Sequence, residues 1–148
     1  MRFFCLFLLV YLMHLPNAQA DDSDCWKKSG DAAIKACSNI INSKHKISKG
    51  HDKKTISLAY FHRGNAYYIK RFYNRAIVNY DAAIRLNPKF VKAFHIRGNA
   101  YFLQDDFDKA IKDFDQVLRL DPNYTEVTYY RELTLKKLRL KRELEQKN

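Results

Sequence analysis

The stretch SLAYFHRGNAYYIKRFYNRAIVNYDAAIRLNPKF, residues 57–90, is followed at once by a second version of itself, VKAFHIRGNAYFLQDDFDKAIKDFDQVLRLDPNY, residues 91–124. The two stretches align without a gap, and 12 of their 34 positions are identical. The identical pairs are Ala59/Ala93, Arg63/Arg97, Gly64/Gly98, Asn65/Asn99, Ala66/Ala100, Tyr67/Tyr101, Ala76/Ala110, Ile77/Ile111, Asp81/Asp115, Arg85/Arg119, Leu86/Leu120 and Pro88/Pro122. A fixed period of this length is typical of repeat arrays, in which each unit buries its apolar face against its neighbours.

Each unit has the pattern of two helices. In the first unit, apolar and aromatic residues recur at helical spacing over Leu58–Lys70 and again over Tyr73–Leu86. Pro88 ends the second helix, because the residue before a proline avoids the α conformation. Gly64 and its equivalent Gly98 lie inside the first helices, where glycine is about 1 kcal/mol less favourable than alanine. Because this unfavourable residue recurs at the same position, we predict that another helix approaches the backbone closely at both glycines.

The order of residues in each unit resembles the tetratricopeptide repeat: an aromatic residue, then Gly, Tyr, Ala, a second aromatic residue, a small residue and a final Pro. In the first unit the pattern falls on Tyr60, Gly64, Tyr67, Ala76, Tyr80, Ala83 and Pro88, and in the second on Phe94, Gly98, Tyr101, Ala110, Phe114, Val117 and Pro122. Arg63 and Arg97 depart from the leucine that is usual at their position. The resemblance implies an all-α helix-turn-helix solenoid with two full repeats, residues 57–90 and 91–124.

Partial copies of the pattern flank the two full repeats. The string Gly30–Cys37 resembles the second helix of a repeat, and a short helix around Asp24–Lys28 would precede it. Residues 21–56 are therefore expected to form a partial N-terminal repeat followed by a basic loop. Residues 125–148 form one long helical stretch with Glu132 where a repeat has glycine, so we expect this stretch to cap the array.

The first twenty residues have the features of a secretory signal peptide. Arg2 precedes the apolar run Phe3–Met13, and Ala18 and Ala20 form a small-x-small cleavage pattern. The apolar run is much shorter than the about 20 residues that a transmembrane helix needs. Residues 1–20 are therefore predicted to be removed on export to a periplasm or to the extracellular space. An uncleaved membrane anchor is the alternative.

Cys25 and Cys37 are the two cysteines that remain after such a cleavage. An even number of cysteines in an exported chain predicts a disulfide. The bond would fix the short first helix to the second helix of the partial repeat and replace packing that an incomplete repeat lacks. The alternative is that both cysteines are small buried apolar side chains.

The resemblance also implies that the first helix of each repeat lines a concave groove, which receives a peptide or a partner helix. The residues expected to bind the partner are Phe61, Asn65, Tyr68, Lys92, His95, Asn99, Phe102 and Tyr129. An Asn amide is both a donor and an acceptor, so both asparagines are predicted to hold the backbone of a ligand. A hydrogen bond between helices is the other interpretation of the asparagines, and core packing is that of the aromatic residues.

One subtype of the family binds the tails of chaperones and clamps a peptide's terminal carboxylates with Lys and Arg between groove asparagines. This chain has Phe61, Ile96, Glu126 and Tyr130 at four of the clamp positions, and only Asn65 matches. These departures from the clamp pattern argue against this subtype.

The charge of the chain suggests a second kind of partner. The sequence has 27 Lys and Arg against 16 Asp and Glu, a net charge of +11, and the excess is concentrated in residues 42–55 and in the tail Arg131–Lys147. Binding of an anionic membrane, a polyanion or an acidic protein is therefore the alternative function. The other interpretation is a solvated face that keeps the protein soluble. Nucleic acid is not an expected partner of an exported protein.

The sequence has no motif of a catalytic, metal or cofactor site. It contains neither a phosphate-binding loop nor a nucleophile elbow, and its histidines show no metal-ligand or triad spacing. We therefore expect neither an enzyme activity nor a metal or cofactor.

Overall fold

The computed structural model describes residues 23–43 and 52–147, and seven α-helices occupy most of these two ranges. The helices are α1 (Asp24–Lys27), α2 (Gly30–Ser43), α3 (Lys53–Ile69), α4 (Tyr73–Leu86), α5 (Val91–Phe102), α6 (Phe107–Leu120) and α7 (Thr125–Glu145). Within the same ranges no residue belongs to a β-strand. The predicted signal peptide and residues 44–51 of the basic loop lie outside the described residues.

Each helix packs against the next one along the chain, and the most extensive contacts join α3 to α4 and α5 to α6. These two pairs are the first and second helices of the two full repeats, so the predicted helix-turn-helix solenoid is confirmed. The helix α3 begins four residues before its repeat unit, because the Asp52 side chain accepts a hydrogen bond from the Thr55 N–H at 2.7 Å and caps the helix there.

The two helical glycines lie against aromatic rings of the second helices, as the sequence predicted. A Cβ atom placed on Gly64 would be 2.6 Å from Cε1 of Tyr80, and one placed on Gly98 would be 2.7 Å from Cε1 of Phe114. Both distances are far shorter than a van der Waals contact between carbon atoms. Glycine is therefore needed at both sites because the two helices of each repeat are so close.

The position where the family usually has leucine carries an ion pair in the second repeat. The Arg97 guanidinium donates two hydrogen bonds to the buried Asp113 carboxylate, at 2.8 and 2.6 Å, and a third to Asp81 at 2.5 Å. Asp113 belongs to the same repeat, whereas Asp81 lies on the second helix of the preceding repeat. Burial raises the pKa of the Asp113 carboxyl, although Arg97 acts in the opposite direction. Arg97 thus connects two repeats through a partly desolvated network.

The same connection recurs at the equivalent arginines on either side. Arg63 donates to Asn79 of its own repeat at 2.7 Å and to Ser38 of the preceding partial repeat at 3.0 Å. Arg131 in α7 donates to Asp115 on the preceding second helix at 2.5 Å. Three arginines spaced by 34 residues therefore join each helix pair to the one before it, which gives a physical reason for the departure from leucine.

The N-terminal partial repeat is closed by the predicted disulfide. The sulfur atoms of Cys25 and Cys37 are bonded, and both residues are buried together with Ile40, Ile41 and Ala59. The bond fixes α1 to α2, and both helices pack against α3. The alternative interpretation of the cysteines is therefore not needed.

The outer side of α7 is polar where a further helix would have to pack. Thr128 and Glu132 are exposed at the positions where α5 has the buried Phe94 and Gly98. A charged residue and a hydroxyl give an additional helix no apolar surface to bury. This polar side fits the role of a cap predicted for residues 125–148.

Candidate interaction groove

The groove face is the set of equivalent positions on the first helices α3, α5 and α7, which alternate along the chain with the second helices. Six of the eight predicted contact residues have accessible surface on this face. Lys92 and Tyr129 are exposed, and Asn65, Tyr68, Asn99 and Phe102 are half-buried. The aromatic members are supported by other rings, since Tyr68 lies 5.6 Å from Tyr73 and Phe102 lies 5.8 Å from Phe107 between ring centroids.

Phe61 and His95, in contrast, are directed inward. Phe61 is 8% exposed, and its ring centroid lies 4.8 Å from that of Phe90 in the turn before α5. His95 is 4% exposed and packs against the rings of Tyr124 and Tyr130. Core packing, the other interpretation given above for the aromatic residues, accounts for Phe61, and the structure buries His95 in the same way. An effect of either residue on specificity would therefore act mainly through its neighbours.

The first groove asparagine is engaged inside the protein. The Tyr80 hydroxyl on α4 donates a hydrogen bond to Oδ1 of Asn65 on α3 at 2.9 Å. This is the bond between helices that was the alternative interpretation of the asparagines. Asn65 therefore has its amide N–H groups and only one lone pair of Oδ1 left to offer to a partner.

The second groove asparagine lacks this bond, because Phe114 takes the place of Tyr80 in the second repeat. Oδ1 of Asn99 is buried and is the single buried side-chain oxygen or nitrogen without a hydrogen-bond partner in the described ranges. The aligned repeats have Tyr80 in the first unit and Phe114 in the second, and this one difference in the sequence distinguishes the two asparagines.

The other end of the Asn99 amide is held by His95. Nδ2 of Asn99 lies 3.2 Å from Nε2 of His95, and Nδ1 of the same ring lies 3.1 Å from the Tyr124 hydroxyl. Burial lowers the pKa of His95, against an opposing effect of Glu126, so the ring is neutral at physiological pH. A neutral ring whose Nε2 accepts the Asn99 N–H keeps Oδ1 of Asn99 oriented away from the histidine.

The described residues show no features of a metal or membrane-spanning site. Within residues 23–43 and 52–147, no three His, Cys, Asp or Glu side chains are placed to hold a metal ion together. In the same part of the chain, every helix is too short or too polar for a bilayer crossing.

Comparisons with known proteins agree with this geometry. The family model described as tetratricopeptide repeat matches residues 91–124, and a second model, described as TPR repeat, matches residues 64–105. No curated protein sequence matches the chain at a significant level. The two matches together span residues 64–124 and, with the confirmed fold, support a tetratricopeptide-repeat protein.

Solved structures with a similar fold include domains that were determined with bound peptides. The first TPR domain of human RPAP3 is 25% identical, with a TM-score of 0.66 over 76% of this chain and 82% of that domain. The first TPR of Spaghetti (RPAP3), bound to the HSP90 peptide SRMEEVD, is 25% identical, with a TM-score of 0.63 over 73% and 79%. The second TPR domain of human RPAP3, in complex with the HSP70 peptide SGPTIEEVD, is 25% identical, with a TM-score of 0.60 over 70% and 79%.

Proposed function

We propose that this protein is a non-catalytic protein-interaction module that binds a peptide or a partner helix on its groove face, outside the cytoplasm. Two similar domains bind peptides of chaperones, which supports a protein or peptide as the class of partner. The observation that carries the proposal is the buried, unpaired Oδ1 of Asn99 on the groove face.

A buried acceptor without a donor is unfavourable by about 1–3 kcal/mol. Oδ1 has almost no accessible surface in the free protein, so a backbone N–H of a bound peptide reaches it only when the Asn99 side chain turns toward the groove, and that bond would remove the loss. Oδ1 of Asn65 already accepts a bond from Tyr80, so the two asparagines are not equivalent. The proposal therefore assigns recognition of the partner's backbone to Asn99 and a mainly structural bond to Asn65.

The peptide class of the two similar domains is not proposed for this chain. Phe61 is buried, and Ile96 and Tyr130 are partly buried and pack against the core clusters, so three of the clamp positions have apolar contacts within the fold. None of the three side chains carries a positive charge that could form an ion pair with terminal carboxylates. A ligand for this groove is expected to be recognised through its backbone and its apolar side chains.

The proposal is tested by selecting binders from a random peptide library displayed on phage and measuring the affinity of a selected peptide. Asn99→Ala is expected to weaken binding by roughly 5- to 150-fold, the equivalent of a lost hydrogen bond to a buried group. Asn65→Ala is the matched control and is expected to change affinity by less than about threefold while lowering stability by about 1 kcal/mol. Equal affinity of the parent and a folded Asn99→Ala variant would contradict the proposal.

Two features support the export of this protein: the signal-peptide pattern of residues Met1–Ala20 and the Cys25–Cys37 disulfide. When the whole chain is expressed with its own N-terminus in a host with a secretory pathway, the secreted protein should begin at Asp21. Its intact mass should be lower than that of the dithiol by the two hydrogens lost in forming the disulfide. A chain that keeps Met1, or one with two alkylatable thiols in the native state, would contradict this prediction.

A further inference from the structure

An exposed apolar stripe runs along α7 and continues the groove face beyond the two full repeats. Tyr129 is 66% exposed, Leu140 is 50% exposed and Leu144 is 64% exposed, and Leu133 between them is half-buried. With 3.6 residues per turn, the four side chains fall within about 60° of one another. The stripe is about 22 Å long, because fifteen residues separate its ends at a rise of 1.5 Å each.

The surroundings of the stripe are basic. Lys136 and Lys137 are exposed and follow Leu133 on either side of the stripe. The part of α7 and the tail from residue 136 to residue 147 carries six cations, Lys136, Lys137, Arg139, Lys141, Arg142 and Lys147, against two acids, Glu143 and Glu145. An acidic surface would complement this charge, whereas a second copy of the same helix would bring like charges together.

The stripe also borders a concave site. A cleft of about 450 Å³ lies between the start of α6 and the end of α7, and Phe107, Leu140 and Leu144 provide its apolar lining. The Lys137 and Lys141 side chains lie at the same cleft, together with the acidic side chains of Asp105 and Glu145. The Lys141 ammonium is 5.8 Å from the centroid of the Phe107 ring, so its positive charge lies beside an aromatic side chain of the cleft. An apolar side chain of a partner can enter this cleft and contact Phe107, Leu140 and Leu144.

From this combination we infer that the α7 stripe docks an acidic amphipathic helix of a partner protein. A helix that lies alongside α7 places its own apolar residues at i, i+3, i+4 and i+7 against Tyr129, Leu133, Leu140 and Leu144. Acidic residues beside that apolar row then face Lys136 and Lys137. The inference names the chemistry of the partner and rests on the proposed groove function, because the stripe is an extension of the same face.

The test uses three fluorescent synthetic peptides and the whole chain, with binding followed by fluorescence anisotropy. The first peptide is a three-heptad helix with Leu at the a and d positions and Glu at most others. The second has Lys in place of every Glu, and the third has the composition of the first with its leucines dispersed. The first peptide is expected to bind at least about tenfold more tightly than either of the others, and more weakly as salt is raised.

Two double variants locate the binding of the first peptide. Lys136→Glu with Lys137→Glu, and separately Leu140→Gln with Leu144→Gln, should each weaken it by roughly tenfold. Lys35→Glu with Lys112→Glu is the matched control, since it makes the same change in net charge at exposed sites away from the stripe and should alter affinity by less than about twofold. Unchanged affinity in both stripe variants would overturn the inference, as would equal binding of the dispersed peptide.

Two further outcomes separate this inference from the proposal on which it rests. If vesicles of phosphatidylcholine with phosphatidylserine bind the chain through the stripe and the acidic peptide does not, the surface is a lipid surface and the inference is wrong. If a library peptide binds in dependence on Asn99 but the acidic helix does not bind, the inference fails and the groove proposal stands. If neither peptide binds, both fail.

Discussion

Replacing Arg97 with methionine is expected to lower the free energy of unfolding by about 3–5 kcal/mol, the range for removing one partner of a buried ion pair. The variant keeps the apolar part of the side chain but leaves the Asp113 carboxylate, which is 4% exposed, without its two hydrogen bonds from the guanidinium. It also removes the bond to Asp81 on the preceding repeat, so the two helix pairs lose a direct connection. The measurement is chemical denaturation followed by circular dichroism.

The expected loss should depend on pH in a specific direction. Burial already raises the pKa of Asp113 from its ordinary value of 3.8, and removal of Arg97 takes away the group that lowers it. A carboxyl whose pKa is raised in the folded state favours folding below its unfolded pKa and loses that advantage as the pH rises through the folded value. The difference between parent and Arg97→Met should therefore be larger at pH 8 than at pH 4.

A double variant separates the unpaired charge from the lost packing. Arg97→Met combined with Asp113→Leu removes both charges, and replacing a buried pair with apolar residues is often neutral or stabilising. We expect the double variant to recover most of the stability that the single variant loses. A loss below about 1 kcal/mol in the single variant, or no recovery in the double variant, would show that the network does not hold the repeats together in this way.

Gly98→Leu should destabilise the protein by about 3 kcal/mol, at the upper end of the range for overpacked cores. Even the first carbon of the new side chain would lie 2.7 Å from the Phe114 ring and 3.3 Å from Cβ of Asp113. Phe114 is fully buried, so a shift of its ring would disturb the core residues around it. Gly64→Leu should behave similarly, because its Cβ would lie 2.6 Å from the Tyr80 ring.

The thermal midpoint of unfolding checks this prediction, and Lys35→Leu on α2 is the matched control. Lys35 is an exposed helical residue, so the same leucine there should change stability by no more than about 0.5 kcal/mol. Leucine is a better helix former than glycine, and at an open position Gly98→Leu would raise the midpoint. A higher midpoint for both glycine variants would contradict the close packing of the helices within each repeat.

The helix pairs could be predicted from the sequence because the information lies within one repeat unit. Period, helical spacing, the recurring glycines and the position of the prolines are local features that are repeated 34 residues later. The disulfide could likewise be predicted, because two of the three cysteines remain after the expected signal-peptide cleavage. The start of α3 at Lys53 depends on a single capping bond from Asp52, a residue type that often precedes the first residue of a helix.

The burial of the groove residues could not be predicted from one repeat alone. Phe61 is covered by Phe90 and His95 by Tyr124, and both covering residues lie in the turn that leads into the next first helix. The role of the arginines was missed for a similar reason. The partners of Arg97 lie 16 residues away in both directions, and they meet only when two helix pairs are stacked.

The difference between Asn65 and Asn99 depends on one hydroxyl group, and that group provides the most direct test of the groove as the binding site. Phe114→Tyr should place a hydroxyl at Oδ1 of Asn99 as Tyr80 does at Asn65, because both rings lie at the same distance from their glycines, within 0.1 Å. The affinity of a library-selected groove peptide is then measured for the parent, for Phe114→Tyr and for the reciprocal Tyr80→Phe. Phe114→Tyr is predicted to weaken binding by at least about fivefold while its stability is unchanged or higher, and Tyr80→Phe is predicted to bind at least as tightly as the parent. Parent-like affinity of a folded Phe114→Tyr variant would contradict the assignment of Asn99 as the residue that binds the partner.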